Sequence, residues 1–117
     1  MAKLYGIKNC DTVRKALKWF DAQGVEIGYH DFRDDGVEVL PIEAWADKVG
    51  LDKLINKRST SYRGLTDEQK ALTDSSDIVK LLKEHPTLIK RPVIEYEDGV
   101  TVGFAKAEQQ YYTDKLA

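Results

Sequence analysis

The stretch Lys3-Leu4-Tyr5-Gly6-Ile7-Lys8-Asn9-Cys10-Asp11-Thr12 decides the fold, because a short apolar segment here gives way to polar residues and then to a helical pattern. Residues 3–7 are mostly apolar and predict a strand, and the polar residues after it predict a loop. Beyond Asp11, apolar residues recur at the spacing of one helix face: Val13, Ala16, Leu17 and Phe20. The only cysteine of the chain, Cys10, is therefore expected where the first strand passes into a helix.

The pattern downstream of this junction predicts a βαβ unit. Asp11 or Thr12 can cap the first amide groups of the helix, and Gly24 can end it. Residues 25–32 then place apolar side chains at alternate positions, which predicts a second strand beside the first. The connection between the two strands runs through the helix.

Helical signals dominate the middle of the chain. Residues 41–50 begin with proline and end with glycine, which bounds one helix, and a shorter helix is expected over residues 51–55. Ser75 and Ser76 are candidate caps of another helix, which must finish near His85-Pro86 because proline cannot continue it. The second strand is therefore followed by a helical insert.

The apolar period changes again after this insert. Pro92–Tyr96 and Val100–Phe104 predict a β-hairpin, with Glu97-Asp98-Gly99 as its turn. Residues 105–116 predict a closing helix. The element order is thus βαβ, a helical middle and ββα. The sequence contains no internal repeat or linker, so residues 1–117 are expected to form a single domain.

Composition and charge exclude several classes of function. A net charge of −2 gives no electrostatic case for a nucleic-acid partner. Charged residues interrupt Met1 to Phe20, so we expect neither a signal peptide nor a membrane span, and a cytoplasmic protein. A single cysteine cannot form an internal disulfide, and His30 and His85 lack the spacing of a metal site, so no metal is expected.

Cys10 has the sequence setting of a reactive thiol. Helix amide groups and nearby cations stabilise a thiolate, and Lys8 and Arg14 are the local cations, although Asp11 opposes them. The alternative is that Cys10 is a small buried residue, as free cysteines often are. Its polar neighbours favour reactivity. We expect three residues around the sulfur to contact the substrate: Asn9, Asp11 and Thr12.

A second feature is Lys90-Arg91-Pro92-Val93, where the helical middle gives way to the hairpin. Taken alone, Arg91 is a surface cation and Pro92 begins a strand. Together with Tyr5-Gly6-Ile7-Lys8-Asn9-Cys10-Asp11-Thr12 and the Arg14-Lys15-Ala16 that follows, however, this late Arg-Pro resembles the ArsC-like family. That family contains glutaredoxin-coupled arsenate reductases, Spx transcriptional regulators and YffB-like proteins. The sequence is most similar to the YffB-like branch.

This resemblance implies a fold and a set of roles. The fold is an α/β, thioredoxin-like (glutaredoxin-type) mixed sheet with a helical insert. Cys10 matches the nucleophile, Arg91 the arginine beside it, and Pro92 a cis proline that lies opposite the cysteine and contacts the substrate. Arg58 lies in the segment that supplies a further anion-binding arginine.

Two departures from the family pattern narrow the function. Arsenate reductases of the family carry an arginine in the last hairpin, whereas residues 100–104 contain none. Spx proteins commonly carry a Cys-x-x-Cys switch, whereas Val13 stands at the position of the second cysteine. A dithiol switch within this motif is therefore excluded.

These observations favour a glutathione-dependent thiol-disulfide oxidoreductase. Cys10 attacks a disulfide or a glutathionylated substrate, Arg91 stabilises the thiolate, and glutathione resolves the product as co-substrate, with no bound cofactor. The expected partners are glutathione or glutaredoxin and a protein disulfide substrate, with the protein acting as a monomer. The alternatives are a glutaredoxin-coupled arsenate reductase and a non-enzymatic, Spx-like regulator that binds a partner such as RNA polymerase.

Overall fold

The computed structural model describes residues 2–97 and 99–116. Backbone contacts divide the chain into two compact units. The first unit combines the segment up to Asp35 with the segment from Arg91 onward, and the second unit is Gly36–Lys90. That the whole chain forms one domain stays a prediction.

The elements follow the predicted order of βαβ, helical middle and ββα. Two short helices in the middle, Thr60–Arg63 and Asp67–Lys70, have no counterpart in the sequence prediction. In chain order the elements are β1 (Ala2–Gly6), α1 (Asp11–Ala22), β2 (Ile27–Asp31), α2 (Ile42–Val49), α3 (Leu51–Leu54), α4 (Thr60–Arg63), α5 (Asp67–Lys70), α6 (Ser75–Glu84), a 3-10 turn (Pro86–Leu88), β3 (Val93–Tyr96), β4 (Gly99–Val102) and α7 (Lys106–Leu116).

The first unit holds a four-stranded mixed sheet in the order β2-β1-β3-β4. The pair β1 and β2 is parallel, whereas β1 with β3 and β3 with β4 are antiparallel. A βαβ unit and a ββα unit that share this sheet make a thioredoxin-like α/β fold, as predicted. The predicted turn residue Asp98 lies outside the described residues.

One hydrophobic core joins the sheet of the first unit to its two helices. The two central strands each contribute a fully buried side chain, and α1 buries the face that its apolar spacing predicted. The aromatic rings of Phe20 and Tyr112 meet edge to face, with centroids 5.1 Å apart. The core residues are Leu4, Val13, Ala16, Phe20, Ile94, Phe104 and Tyr112.

Both ends of α1 differ in detail from the sequence prediction. Its N-cap is Cys10, so the prediction that Asp11 or Thr12 caps the helix was wrong: both already have helical geometry. At the other end, Val25 N–H donates to the Phe20 carbonyl at 3.1 Å, and Gly24 N–H donates to the Asp21 carbonyl at 3.0 Å. This is a Schellman motif, which requires the positive φ of +74° that Gly24 adopts.

The second unit is helical and has its own buried side chains, among them Trp45, Leu54 and Leu88. The predicted helix after Pro41 is present and ends at Gly50, as expected. The helix α6 begins at Ser75, but its cap is Asp74, whose carboxylate accepts the backbone N–H groups of Ser76 and Asp77.

The prediction of Ser75 or Ser76 as the cap of α6 was therefore wrong, because the cap lies one residue before Ser75. The carboxylate one position earlier reaches two amide groups at once.

No helix among residues 2–97 and 99–116 has the length and apolar content needed to cross a membrane.

Candidate functional site

Cys10 lies at the N-cap position of α1, after the turn that leaves β1. Its N–H donates to the Ile7 carbonyl at 3.2 Å, and its carbonyl accepts the N–H of Arg14 at 3.1 Å. The residue is half-buried, packs against the core of the first unit, and its side chain makes no capping hydrogen bond. The positive end of a 12-residue helix is thus left without a side-chain cap. This arrangement favours a thiolate or a bound anion.

The two cations nearest to Cys10 in sequence already have acidic partners. The ammonium group of Lys8 pairs with Asp34, and this contact raises the pKa of Lys8. The guanidinium group of Arg14 pairs with Asp11 and also donates to the Lys8 carbonyl at 3.0 Å. Asp11 was expected to offset the positive charge near Cys10, and it does so through a direct ion pair with Arg14. This ion pair leaves Arg14 less able to serve as the counter-charge of a thiolate.

The predicted substrate contacts around Cys10 differ in exposure. Asn9 is exposed in the turn before the cysteine, and Asp11 is the exposed first residue of α1. Thr12, the second residue of α1, is half-buried. Since the Asp11 carboxylate is paired with Arg14, its backbone amide is the group better suited to an anionic substrate. The substrate-binding role of these three residues stays a prediction.

The Arg91–Pro92 peptide bond is cis, which confirms the expectation from the family resemblance. The antiparallel register pairs Tyr5, near the end of β1, with Val93 at the start of β3. The residues just before β3 and the loop just after β1 therefore lie at the same edge of the sheet. Arg91 is half-buried, with its Nε atom shielded from solvent. The catalytic role of Arg91 and a contact between Pro92 and the Cys10 sulfur stay predictions.

Arg58, the further arginine of the resemblance, belongs to the second unit. Its side chain is exposed, and its backbone N–H donates to the Asn56 side chain at 3.1 Å. Its carbonyl accepts a hydrogen bond from the Arg63 guanidinium at 2.9 Å. Anion binding by Arg58 together with Cys10 stays a prediction.

The last hairpin presents no guanidinium group at this edge, as the sequence indicated. The hydroxyls of Thr101 and Tyr112 lie 2.6 Å apart and form a hydrogen bond. Gly103 adopts a φ of +84° and donates its N–H to the Pro92 carbonyl at 2.8 Å. Neither Thr101 nor Gly103 supplies a positive charge that could hold an oxyanion.

Asp31 lies beside the loop that leads to Cys10 and was not singled out by the sequence analysis. The residue is 3% exposed, yet its side chain accepts hydrogen bonds from the Tyr29 hydroxyl and from the backbone N–H groups of Lys8, Arg33 and Asp34 at 2.8–3.0 Å. Burial alone would raise the pKa of Asp31, but these hydrogen bonds outweigh it and lower the pKa to about 2. The signal available in the sequence was an aspartate within the otherwise strand-like residues 25–32.

Across 2–97 and 99–116, no three His, Cys, Asp or Glu side chains are grouped so that they could hold a metal ion.

Comparison with known proteins shows to which family the chain belongs. The model of the ArsC family matches residues 5–111. The chain belongs to the ArsC family. Membership confirms the resemblance drawn from the Cys10 motif and from the late Arg91-Pro92, and it agrees with the thioredoxin-like strand order.

Relatives within the ArsC family span almost the whole chain. An uncharacterized protein of Haemophilus influenzae is 43% identical over 94% of this chain and 96% of its own length. The solved structure of the YFFB protein is 34% identical, covers 100% of both chains and superposes with a TM-score of 0.90. The global transcriptional regulator Spx of Bacillus subtilis is 26% identical over 92% of this chain and 83% of its own length. These matches include the YffB branch that the sequence predicted.

Proposed function

We propose that this ArsC-family protein is a glutathione-dependent thiol-disulfide oxidoreductase whose nucleophile is Cys10. One observation carries the proposal: Cys10 holds the N-cap of α1 while its side chain leaves the first helix amides uncapped. Those amide groups stabilise the thiolate and orient a carboxylate of glutathione. The Arg91–Pro92 segment at the same sheet edge supports this role, because the main chain beside Pro92 can pair with the peptide backbone of glutathione.

The proposed reaction has two exchange steps. The Cys10 thiolate attacks the glutathione sulfur of a glutathionylated substrate, the substrate–glutathione bond breaks, and the substrate leaves as a thiolate that takes up a proton. A second glutathione, as its thiolate, attacks the sulfur bound to Cys10 and releases glutathione disulfide. One disulfide is thus reduced and one is formed. Since Cys10 is the only cysteine, the resolving thiol comes from outside the chain.

The test is intact-mass analysis after exposure to glutathione disulfide at neutral pH, with time points that give a rate. The wild-type protein gains one glutathione, and Cys10→Ser gains none. Arg91→Ala gains it about tenfold more slowly, because a charge-assisted contact to the thiolate is lost. Lys15→Ala is the matched control, since it removes an exposed cation from α1 that the proposed reaction does not use.

A wild-type protein that stays unmodified contradicts the proposal. Equal rates for Arg91→Ala and Lys15→Ala would remove Arg91 from the reaction.

Arsenate reduction ranks below this activity. An arsenate ion needs several charged donors around its oxygens, and each missing charge-assisted hydrogen bond costs roughly 1.5 to 3 kcal/mol. Thr101 is bonded to Tyr112, and Gly103 has no side chain to offer. Assayed with glutathione and glutaredoxin beside a mixed disulfide, the protein is expected to reduce the disulfide and to leave arsenate almost unchanged. Robust arsenate turnover that is lost in Cys10→Ser and in Arg91→Ala would reverse this ranking.

A protein-binding regulator is the second candidate, favoured by the similarity to Spx over 92% of the chain. The absence of a second cysteine at Val13 argues against a dithiol switch of the Spx kind. Stable capture of purified RNA polymerase by Cys10→Ala, together with no glutathione adduct on the wild type, would favour this candidate over the enzyme.

A further inference from the structure

We propose that Asp31 is a positioning residue for Cys10, acting through the backbone of the loop that joins β1 to α1. The inference deepens the proposed thiol reaction and rests on it for the disulfide assay below. Asp31 lies on a different element from the cysteine, at the end of β2.

The β1–β2 register brings this carboxylate to the loop. Gly6, the last residue of β1, is paired with Asp31, the last residue of β2. The Gly6 carbonyl accepts the N–H of Phe32 at 2.9 Å, which holds the two strand ends together. The loop toward Cys10 therefore starts directly beside the Asp31 side chain.

Each carboxylate oxygen of Asp31 has two donors. Oδ2 accepts the Lys8 N–H and the Tyr29 hydroxyl, both at 2.9 Å. Oδ1 accepts the N–H of Arg33 at 2.8 Å and that of Asp34 at 3.0 Å. An ionised carboxylate is the side chain that can accept four such bonds without presenting a donor of its own. One buried group therefore fixes the loop before Cys10 and the turn after β2.

The hydrogen bond from the Lys8 N–H is the contact through which Asp31 influences the position of the Cys10 thiol. Lys8 is two residues before Cys10, and the turn between them is closed by the Cys10 N–H donating to the Ile7 carbonyl. On its far side Cys10 is held by α1, through the Arg14 N–H. Releasing the Lys8 amide removes one of the contacts that hold the loop before Cys10, where the Arg14 guanidinium on the Lys8 carbonyl and the ion pair of Lys8 with Asp34 remain. Attack on a disulfide requires a defined approach of sulfur to sulfur, so a looser thiol reacts more slowly.

The substitution Asp31→Asn tests this role. Its single oxygen is expected to keep the two backbone N–H groups of Arg33 and Asp34, which can only donate. Its amide nitrogen then faces Lys8 and Tyr29; the Tyr29 hydroxyl can turn to accept, but the Lys8 N–H loses its acceptor. Tyr29→Phe is the milder variant, because it removes one bond to Oδ2 and keeps the acceptor for Lys8. Asp21→Asn is the control: it makes the same chemical change at an exposed carboxylate ten residues along α1, about 15 Å from its start.

Three quantities are measured at pH 7 on protein that circular dichroism shows to be folded. They are the rate of Cys10 with glutathione disulfide, the rate with iodoacetamide, and hydrogen exchange of the Lys8 and Leu4 amides. For Asp31→Asn we expect about tenfold slower disulfide reaction and about tenfold faster exchange at Lys8, with exchange at Leu4 unchanged. Tyr29→Phe slows the disulfide reaction about two- to threefold, and Asp21→Asn matches the wild type.

The outcomes separate this inference from the proposed function. A wild-type protein that forms no glutathione adduct contradicts the proposed oxidoreductase activity. The positioning role of Asp31 is still tested in that case, by hydrogen exchange at Lys8 and by alkylation with iodoacetamide. Unchanged Lys8 exchange and unchanged thiol rates in Asp31→Asn overturn the positioning role. Equal acceleration at Lys8 and Leu4 overturns it as well, since Asp31 would then only stabilise the fold. If Asp31→Asn does not fold, Tyr29→Phe decides: a two- to threefold slower disulfide reaction supports the positioning role, and a wild-type rate overturns it.

Discussion

At the scale of single residues, Asp31 joins near-complete burial to a full negative charge. A buried carboxylate normally prefers its neutral form, but three backbone N–H groups and the Tyr29 hydroxyl reverse this preference. Three of those donors are main-chain groups, so they persist when neighbouring side chains change. The negative charge of Asp31 is therefore stabilised mainly by the backbone around the end of β2.

The stability of the protein should consequently depend on the ionisation of Asp31. Folding lowers the pKa of this group from 3.8 to about 2, so its stabilising contribution is complete at neutral pH and is lost as the pH falls through this range. Between pH 6 and pH 2.5, the free energy of unfolding of the wild type should fall by about 1 to 2 kcal/mol more than that of Asp31→Asn. Urea denaturation at several pH values measures this. Parallel pH profiles for the two proteins would contradict the assignment.

At the scale of elements, the end of α1 requires glycine at position 24 because of the backbone conformation there, and not because a side chain would lack room. A Cβ atom at Gly24 would meet no heavy atom within 4 Å, but the φ of +74° strains any residue with a side chain. Gly64 follows α4 with a φ of −79°, and a Cβ atom there would come no closer than 3.6 Å to another atom. Of these two glycines that follow a helix, Gly24 is therefore required by its backbone conformation, whereas Gly64 is not.

Alanine at these two glycines should change stability in opposite directions. Gly24→Ala is expected to cost about 1 kcal/mol, because the Schellman motif keeps its left-handed residue. Gly64→Ala is expected to stabilise by about 0.4 to 1 kcal/mol, since it restricts only the unfolded chain. Chemical denaturation of both variants beside the wild type gives the two values. A neutral Gly24→Ala would mean that the end of α1 rearranges without penalty.

The elements also show where sequence patterns suffice. Periodic apolar residues predicted α1 and the hairpin, and Gly50 and Pro86 predicted helix boundaries, because these signals act within one turn or one strand. The caps at Asp74 and Cys10 were missed because several polar residues compete for one position, and backbone geometry chooses between them. The short helix α5 has no apolar period; a capping box between Thr66 and Gln69 stabilises its start.

The candidate site was predictable to the extent that it is local. Cys10 was identified from its place between a strand and a helix, and the cis bond at Pro92 followed from the family resemblance. Asp31 could not be found in this way, because its importance comes from a strand register that brings residue 31 beside residue 6. The pairing of Lys8 with Asp34 was hidden for the same reason.

At the scale of the whole molecule, the chain carries a natural reporter in each unit. Trp19 is half-buried in the first unit and Trp45 is fully buried in the second, and the sequence contains no other tryptophan. The prediction of a single domain over residues 1–117 requires both units to unfold in one cooperative transition. Trp19→Phe and Trp45→Phe, each followed by fluorescence in urea, should give unfolding curves that coincide with the far-ultraviolet circular dichroism of the same variant. Fluorescence and circular dichroism midpoints that differ would divide the chain into two domains.

The central position of β1 has a consequence for the order of events during synthesis. One neighbour of β1 in the sheet is β2, which the ribosome makes soon afterwards, but the other is β3, which begins only at Val93. A nascent chain that has emerged as far as the end of α6 therefore carries its thiol beside a half-built sheet. The edge that brings Arg91 and Pro92 to the cysteine loop is completed only by the late hairpin. Newly made protein thus acquires its candidate chemistry only after β3 and β4 have been synthesised, and the long helical insert sets the delay.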